Sequence, residues 1–404
     1  MKSDQSVSRR RVFYIPGYDP FHPRRYRELY RKEAAEQARI SGYSLDIKPK
    51  EAGGAYGWQV NAQINGQIQT QVDVLVWSDI VKDSMATGIL ATYVQLVRTA
   101  WIYIASGALF RLMRLRKGPV IAALYPVVFL LGQLALAALL LRGAVALSAM
   151  VLPDWGWLMG FGAGLLGAVA LLRWFRRIDN KIFAYYLMHD YAYSAQLQGM
   201  NPPQLEVRMQ DFGDAICKAL HEDVDEVLLV GHSSGVHLGV SVLADLIRAG
   251  RVPADGPVLS FLSLGQVVPM VSFLPKAHRL RADLAYLSAS DALTWVDVTA
   301  PGDGCAFALC DPVAVTGVAP AGKRWPLVFS AAFTQSLSPA RWQELRWRFF
   351  RLHFQYLCAF DQPRDYDYFQ ITAGPQTLGA RYAGRAASAS RIERAVNKHI
   401  SVAP

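Results

Sequence analysis

Cysteine is scarce. Cys217, Cys305, Cys310 and Cys358 are the only four in 404 residues. Only Cys305 and Cys310 lie near one another, which leaves no zinc-ligand spacing and makes a disulfide framework unexpected in a chain of this size. Acidic residues are outnumbered, 32 against 42 lysines and arginines, for a net charge of +10. The arginines sit beside apolar runs rather than in one long basic tract, and no DNA- or RNA-binding motif is present. A membrane surface is therefore the expected partner and nucleic acid is not. Met1 to Arg11 is polar and basic without an apolar core segment, so no cleaved signal peptide is expected. No cofactor and no metal is implied by any motif.

What is abundant is apolar sequence, 52% of the chain. Pro119 to Leu141 runs without a charged residue. That is long enough to cross the hydrocarbon core. After Arg142 and the break Pro153-Asp154-Trp155-Gly156-Trp157, a second apolar run extends to Phe175 and closes with Arg176-Arg177. Two transmembrane helices are expected, at about 119–141 and 155–174, with 143–152 connecting them. A helix at the membrane interface is expected at about 87–110, where Trp101 and Tyr103 accompany Arg98. Basic clusters flank this hairpin while its tip carries only Arg142 and Asp154. By the positive-inside tendency, both hydrophilic portions face the cytoplasm, as in an integral protein of a bacterial-type inner membrane. Gly160-x-x-x-Gly164 allows close approach of another helix, either the hairpin mate or a second subunit in a homo-oligomer.

The sharpest motif is Gly231-His232-Ser233-Ser234-Gly235. It follows the apolar run Val227-Leu228-Leu229-Val230 and precedes a stretch from Val236 with helical spacing. A Gly-x-Ser-x-Gly turn between a strand and a helix lifts the serine hydroxyl out of the sheet edge and aims the helix's positive end at it. In this the chain resembles the α/β-hydrolase superfamily of lipase- and esterase-like serine hydrolases. The resemblance covers roughly residues 11–80 and 200–360. It implies an α/β fold, a hydrolase-like sheet with helices on both faces, carrying the transmembrane hairpin as an insertion. The expected division is 1–85 and 201–372 for the two parts of the hydrolase domain, 86–200 for the membrane insertion and 373–404 for a basic tail. The insertion point is unusual, since caps in this superfamily more often enter after the elbow.

The resemblance also implies partners for Ser233 in the order serine, acid, histidine. Serine is a weak nucleophile until an imidazole takes its proton, and a carboxylate fixes that imidazole's tautomer. Asp303, in the Gly302-Asp303-Gly304 turn after the strand Leu293 to Thr299, resembles the acid loop. Asp311, at an Asp-Pro turn, and Asp297, within the strand, remain alternatives. Of the histidines after Asp303, His353 lies in an aromatic segment beyond the strand Leu327 to Ser330, whereas His399 falls in a basic C-terminal helix. His232 and His237 flank Ser233 too closely to act as its base. Val12 to Ile15 ends in the breaker Pro16-Gly17-Tyr18-Asp19-Pro20, placed where the superfamily has its oxyanion loop. Backbone N–H groups of Tyr18 and Ser234 are the implied donors. Asp79, after the strand Val72 to Trp77, suits either a pocket or a helix cap.

Three functions are consistent with these residues: a membrane-anchored hydrolase of a lipidic acyl ester, an acyltransferase on the same triad, and a non-catalytic membrane scaffold. Two helices, apolar apart from Arg173 near the end of the second, carry none of the buried ionisable residues a transporter needs.

Overall fold

The computed structural model describes residues 6–50, 53–152 and 154–403. Pro153, part of the expected break between the membrane helices, lies outside them. Eight strands form one mixed sheet: β1 (Arg9–Ile15), β2 (Ser44–Pro49), β3 (Gly57–Gln63), β4 (Gln67–Val74), β5 (Glu226–His232), β6 (Val258–Leu264), β7 (Thr294–Thr299) and β8 (Leu327–Ser330), in the order β2-β3-β4-β1-β5-β6-β7-β8. The hairpin β3–β4 is antiparallel and turns at Asn65-Gly66, both at positive φ. From β4 through β1 to β8 every pairing is parallel. Such strands are covered on both faces, and β5 is buried along its whole length. One face packs Tyr30, Trp58, Phe329 and Tyr356. The other receives the helices Pro203–Ala219, Gly235–Arg248 and His278–Ala289.

The central strand begins earlier than its apolar residues suggest. Arg10 lies fully inside because its Nε donates to Glu226 Oε2 at 2.6 Å, and both side chains are fully buried. A second guanidinium nitrogen of Arg10 donates to the Gly374 carbonyl at 2.8 Å. Glu226 opens β5. Burying one charge alone costs several kcal/mol. Pairing the two lets the sheet run to the Arg10 level and ties down the C-terminal segment.

Between β4 and β5 the chain leaves the sheet. The expected single interfacial helix is two, Ile89–Ala105 and Ala108–Leu115, separated at Gly107, which adopts φ +73°. The first apolar helix is longer than expected: Lys117–Val151 is continuous, so 143–152 is not a separate connector. Its 35 residues reach about 52 Å at 1.5 Å per residue, well beyond a hydrocarbon core of about 30 Å. Nothing in Gly143 to Val151 breaks a helix, and the apolar residues there sustain it. The second, Gly156–Arg177, packs back along it. Both are long and apolar enough to cross a membrane, and most of their surface is not covered by protein.

The glycine stripe on the second helix is used by the hairpin mate. A Cβ at Gly160 would come within 2.7 Å of Val145 Cα and 2.6 Å of the Ala144 carbonyl oxygen. Gly162, on another face, has nothing within 4 Å. Gly160→Leu is therefore expected to destabilise the detergent-solubilised protein by roughly 1–3 kcal/mol, whereas Gly162→Leu is expected to leave its thermal midpoint unchanged. Equal effects at both positions would mean that this packing does not hold the hairpin together.

Candidate active site

The turn after β5 puts Ser233 at φ +57°, a left-handed conformation that costs a non-glycine residue roughly 1–3 kcal/mol. Two contacts hold it there. The Ser233 amide donates to the Leu264 carbonyl at 2.9 Å, and the Val236 amide donates to the Ser233 carbonyl at 3.1 Å. The flanking loop approaches so closely that only glycine fits. A Cβ at Gly235 would strike the Ile15 and Pro16 carbonyl oxygens, and one at Gly17 would lie 2.9 Å from Ser233 Cβ. Gly17 and Tyr18 therefore lie directly against the serine.

Ser233, Ser234, Tyr18 and His353 line one cavity of about 80 Å³. The amides of Tyr18 and Ser234 have no hydrogen-bond partner among the described residues. Two N–H donors beside a hydroxyl suit a developing oxyanion.

His353, at the end of the short helix Phe349–His353, is buried, with its Nδ1 2.7 Å from Asp303 Oδ2. Asp303 sits behind the imidazole, 2% exposed. It also accepts from Tyr356 Oη at 3.0 Å and from the Cys305 amide at 2.9 Å. Burial alone would raise the Asp303 carboxyl, but the charge of His353 and these hydrogen bonds outweigh it and hold the group below its ordinary range. An ionised Asp303 accepts only, so Nδ1 of His353 carries the proton and Nε2 is left as a base. No hydrogen bond joins Ser233 Oγ to the imidazole among the described residues. Such contacts often tighten only with substrate bound.

His232 is fully buried and donates from Nε2 to the His353 carbonyl at 3.0 Å. Burial, reinforced by the neighbouring His353, lowers it to about 3, so it is a neutral ring that positions the His353 backbone. His237 lines the cavity, and burial lowers it to about 4. Donor atoms of Asp303, Cys305 and His353 lie within 4.8 Å of one another, the spacing a metal ion needs. The pattern fits an acid–imidazole pair better: Asp303 already accepts three hydrogen bonds, and burial pushes the Cys305 thiol well up, away from the thiolate a metal prefers.

The other candidates lie elsewhere. Asp311 caps the helix Pro312–Thr316, accepting from the Val313 and Ala314 amides at 3.0 Å, and pairs with Lys323. Asp297 is buried in β7 and accepts from Ser263 Oγ at 2.5 Å. Asp79 forms a two-point ion pair with Arg208. His399 contacts the Ser106 carbonyl, and the expected C-terminal helix around it is absent: the segment from Ala383 is irregular, pinned by Ile392 and Val396 to Leu309 and Val315.

The sequence reading missed Tyr356 and the helix Ala184–Ala195, which covers the cavity with Tyr186, Leu187, Asp190, Tyr191 and Ser194. Their spacing puts them on one helical face, a signal visible in the sequence but without meaning until that face is docked. Pro119, at the base of the first spanning helix, also lines the cavity, and the position of a Cβ at Gly118 is 3.3 Å from the Gly304 carbonyl beside Asp303. The site therefore sits where the apolar hairpin begins.

The chain matches no family model, no curated protein and no solved structure. Its fold and site define an α/β protein with a mixed eight-stranded sheet, two apolar helices of spanning length, and a buried imidazole–carboxylate pair sharing a cavity with a serine on a strained turn.

Proposed function

We propose that the protein is a membrane-anchored serine hydrolase of the α/β-hydrolase type that cleaves lipidic acyl esters. The observation that carries this reading is Ser233, held at φ +57° on a strand-to-helix turn and facing a cavity shared with the His353–Asp303 pair. Ser233 Oγ attacks the acyl carbonyl carbon while His353 Nε2 takes the hydroxyl proton. The carbonyl oxygen, now negative, is held by the N–H groups of Tyr18 and Ser234. Collapse of this intermediate expels the alcohol, which leaves with the proton from His353, and the acyl group stays on Ser233. Water then attacks with His353 again as base, releasing the carboxylic acid and restoring the serine. Asp303 stabilises the imidazolium at each stage.

A lipidic substrate is supported by the position of Pro119 in the cavity wall and by the apolar side chains Leu187, Val267, Met270 and Phe350 around it. The two spanning helices fold back on each other, which suits a hydrolase domain wholly on one side of the bilayer. The flanking arginines favour the cytoplasmic side.

Isolated membranes containing the protein are expected to react covalently with a fluorophosphonate probe, detected as a labelled band at the mass of the chain. No labelling, under conditions where a control serine hydrolase labels, would overturn the reading in favour of a scaffold role.

A further inference from the structure

The reaction uses Ser233, His353 and Asp303, and leaves one polar corner of the cavity without a role. Asp190 and Ser194 lie one helical turn apart on the covering helix Ala184–Ala195. His237 faces the same space from the helix that follows Ser233. All three also line a second small cavity that continues from the first toward Asn201. The Nδ1 of His237 is buried and has no hydrogen-bond partner, and the residue is only 8% exposed. Among the described residues no hydrogen bond reaches the side chains of Asp190 or Ser194. The buried, unpaired Nδ1 of His237 costs free energy unless a ligand pairs with it, and Asp190 and Ser194 are open to the same cavity.

The charge of this corner narrows the ligand. Among the described residues, no lysine or arginine lines either cavity. A phosphate or carboxylate would enter with no lining cation to pair with, since the nearby Arg25 already faces Asp19 Oδ2 at 3.5 Å. Burial pushes the Asp190 carboxyl up to about 7 and keeps His237 neutral at that pH. Carboxyl, hydroxyl and neutral imidazole together supply donors and acceptors for hydroxyl groups. The apolar side chains Leu187, Val267, Met270 and Phe350 suit the acyl chain, which leaves this polar corner for the alcohol portion of the ester.

We propose that Asp190, Ser194 and His237 form a subsite that holds the hydroxyl groups of an uncharged ester's alcohol portion, a glycerol or similar short polyol. This rests on the hydrolase reading above. It makes the substrate a neutral acyl ester rather than an anionic phospholipid.

The test compares three esters of one acyl chain on the full-length protein in mixed micelles: a monoacylglycerol, the ethyl ester and a lysophosphatidylglycerol. Wild type is expected to favour the monoacylglycerol over the ethyl ester by about tenfold or more in kcat/KM, and to turn over the lysophospholipid slowest. Ser194→Ala and Asp190→Leu are each expected to lower the monoacylglycerol-to-ethyl-ester ratio several-fold, and Asp190→Asn to restore part of it. Fluorophosphonate labelling of each variant reports separately that the fold and the reactive serine are intact. A wild type that labels but shows no preference, or prefers the lysophospholipid, overturns the subsite and leaves the hydrolase reading standing. So does a preference that the variants leave unchanged. A wild type that does not label overturns both.

Discussion

Ser233→Ala is expected to abolish fluorophosphonate labelling and to lower acyl-ester turnover by roughly five to six orders of magnitude. His353→Ala should cost nearly as much, and the double variant little more than either alone. The serine is a nucleophile only while the imidazole accepts its proton, so removing either group removes the same step. What survives is the background from the Tyr18 and Ser234 amides and from substrate binding. Ser233→Ala should not unfold the protein, because alanine adopts the Ser233 backbone conformation at the same cost, and its thermal midpoint in detergent should lie near that of wild type. His353→Ala leaves the buried Asp303 carboxylate without its imidazole partner and should lower the thermal midpoint. Persistent labelling of Ser233→Ala would move the nucleophile elsewhere, with Ser194 and Ser234 as the neighbouring hydroxyls.

Asp303→Asn is expected to lower turnover by about four orders of magnitude while keeping the protein folded. An amide at this position has nearly the same shape but a different pattern of donors. Tyr356 Oη, the Cys305 amide and His353 Nδ1 all donate to the present carboxylate. Asparagine has one acceptor oxygen and an NH2 that must face at least one of those donors. Accommodating that NH2 drives the imidazole toward the tautomer with its proton on Nε2, where it cannot accept from Ser233. Asp311→Asn is the control. It weakens the cap of Pro312–Thr316 and the ion pair with Lys323, so it should cost stability, roughly 0.5–2 kcal/mol from the cap, and change turnover only a few-fold. The reverse pattern, with Asp311→Asn the inactive variant, would sink the assignment of Asp303.

The two carboxylates illustrate where sequence reading stops. Asp303 and Asp311 both follow β7 in turn-forming segments, and the Gly302-Asp303-Gly304 turn favours Asp303 in sequence without excluding Asp311. Position ranks them: the His353 ring lies 50 residues downstream of Asp303 and meets its carboxylate, while Asp311 faces amides of its own helix. Tyr356 escaped notice for the same reason. Within an aromatic run it reads as core, and its hydroxyl acquires a role only because the chain turns it onto Asp303. Arg10 read as a polar terminus because its partner, Glu226, is 216 residues away.

By itself the sequence determined the features that a few neighbouring residues encode. These are the strand–turn–helix around Ser233, the parallel-sheet strands as short apolar runs, and two helices long enough for a bilayer. Each depends on backbone preference and local hydrophobic pattern, which act over a turn or a strand. Tertiary structure alone decided which acid meets which histidine, that the stripe Gly156, Gly160 and Gly164 is spent within the hairpin, that the first spanning helix continues to Val151, and that Asp190 and Ser194 face the serine. Those outcomes depend on how separate elements dock. Docking is settled by packing over the whole sheet and hairpin, where the chain's local pattern carries no instruction about the partner on the other side.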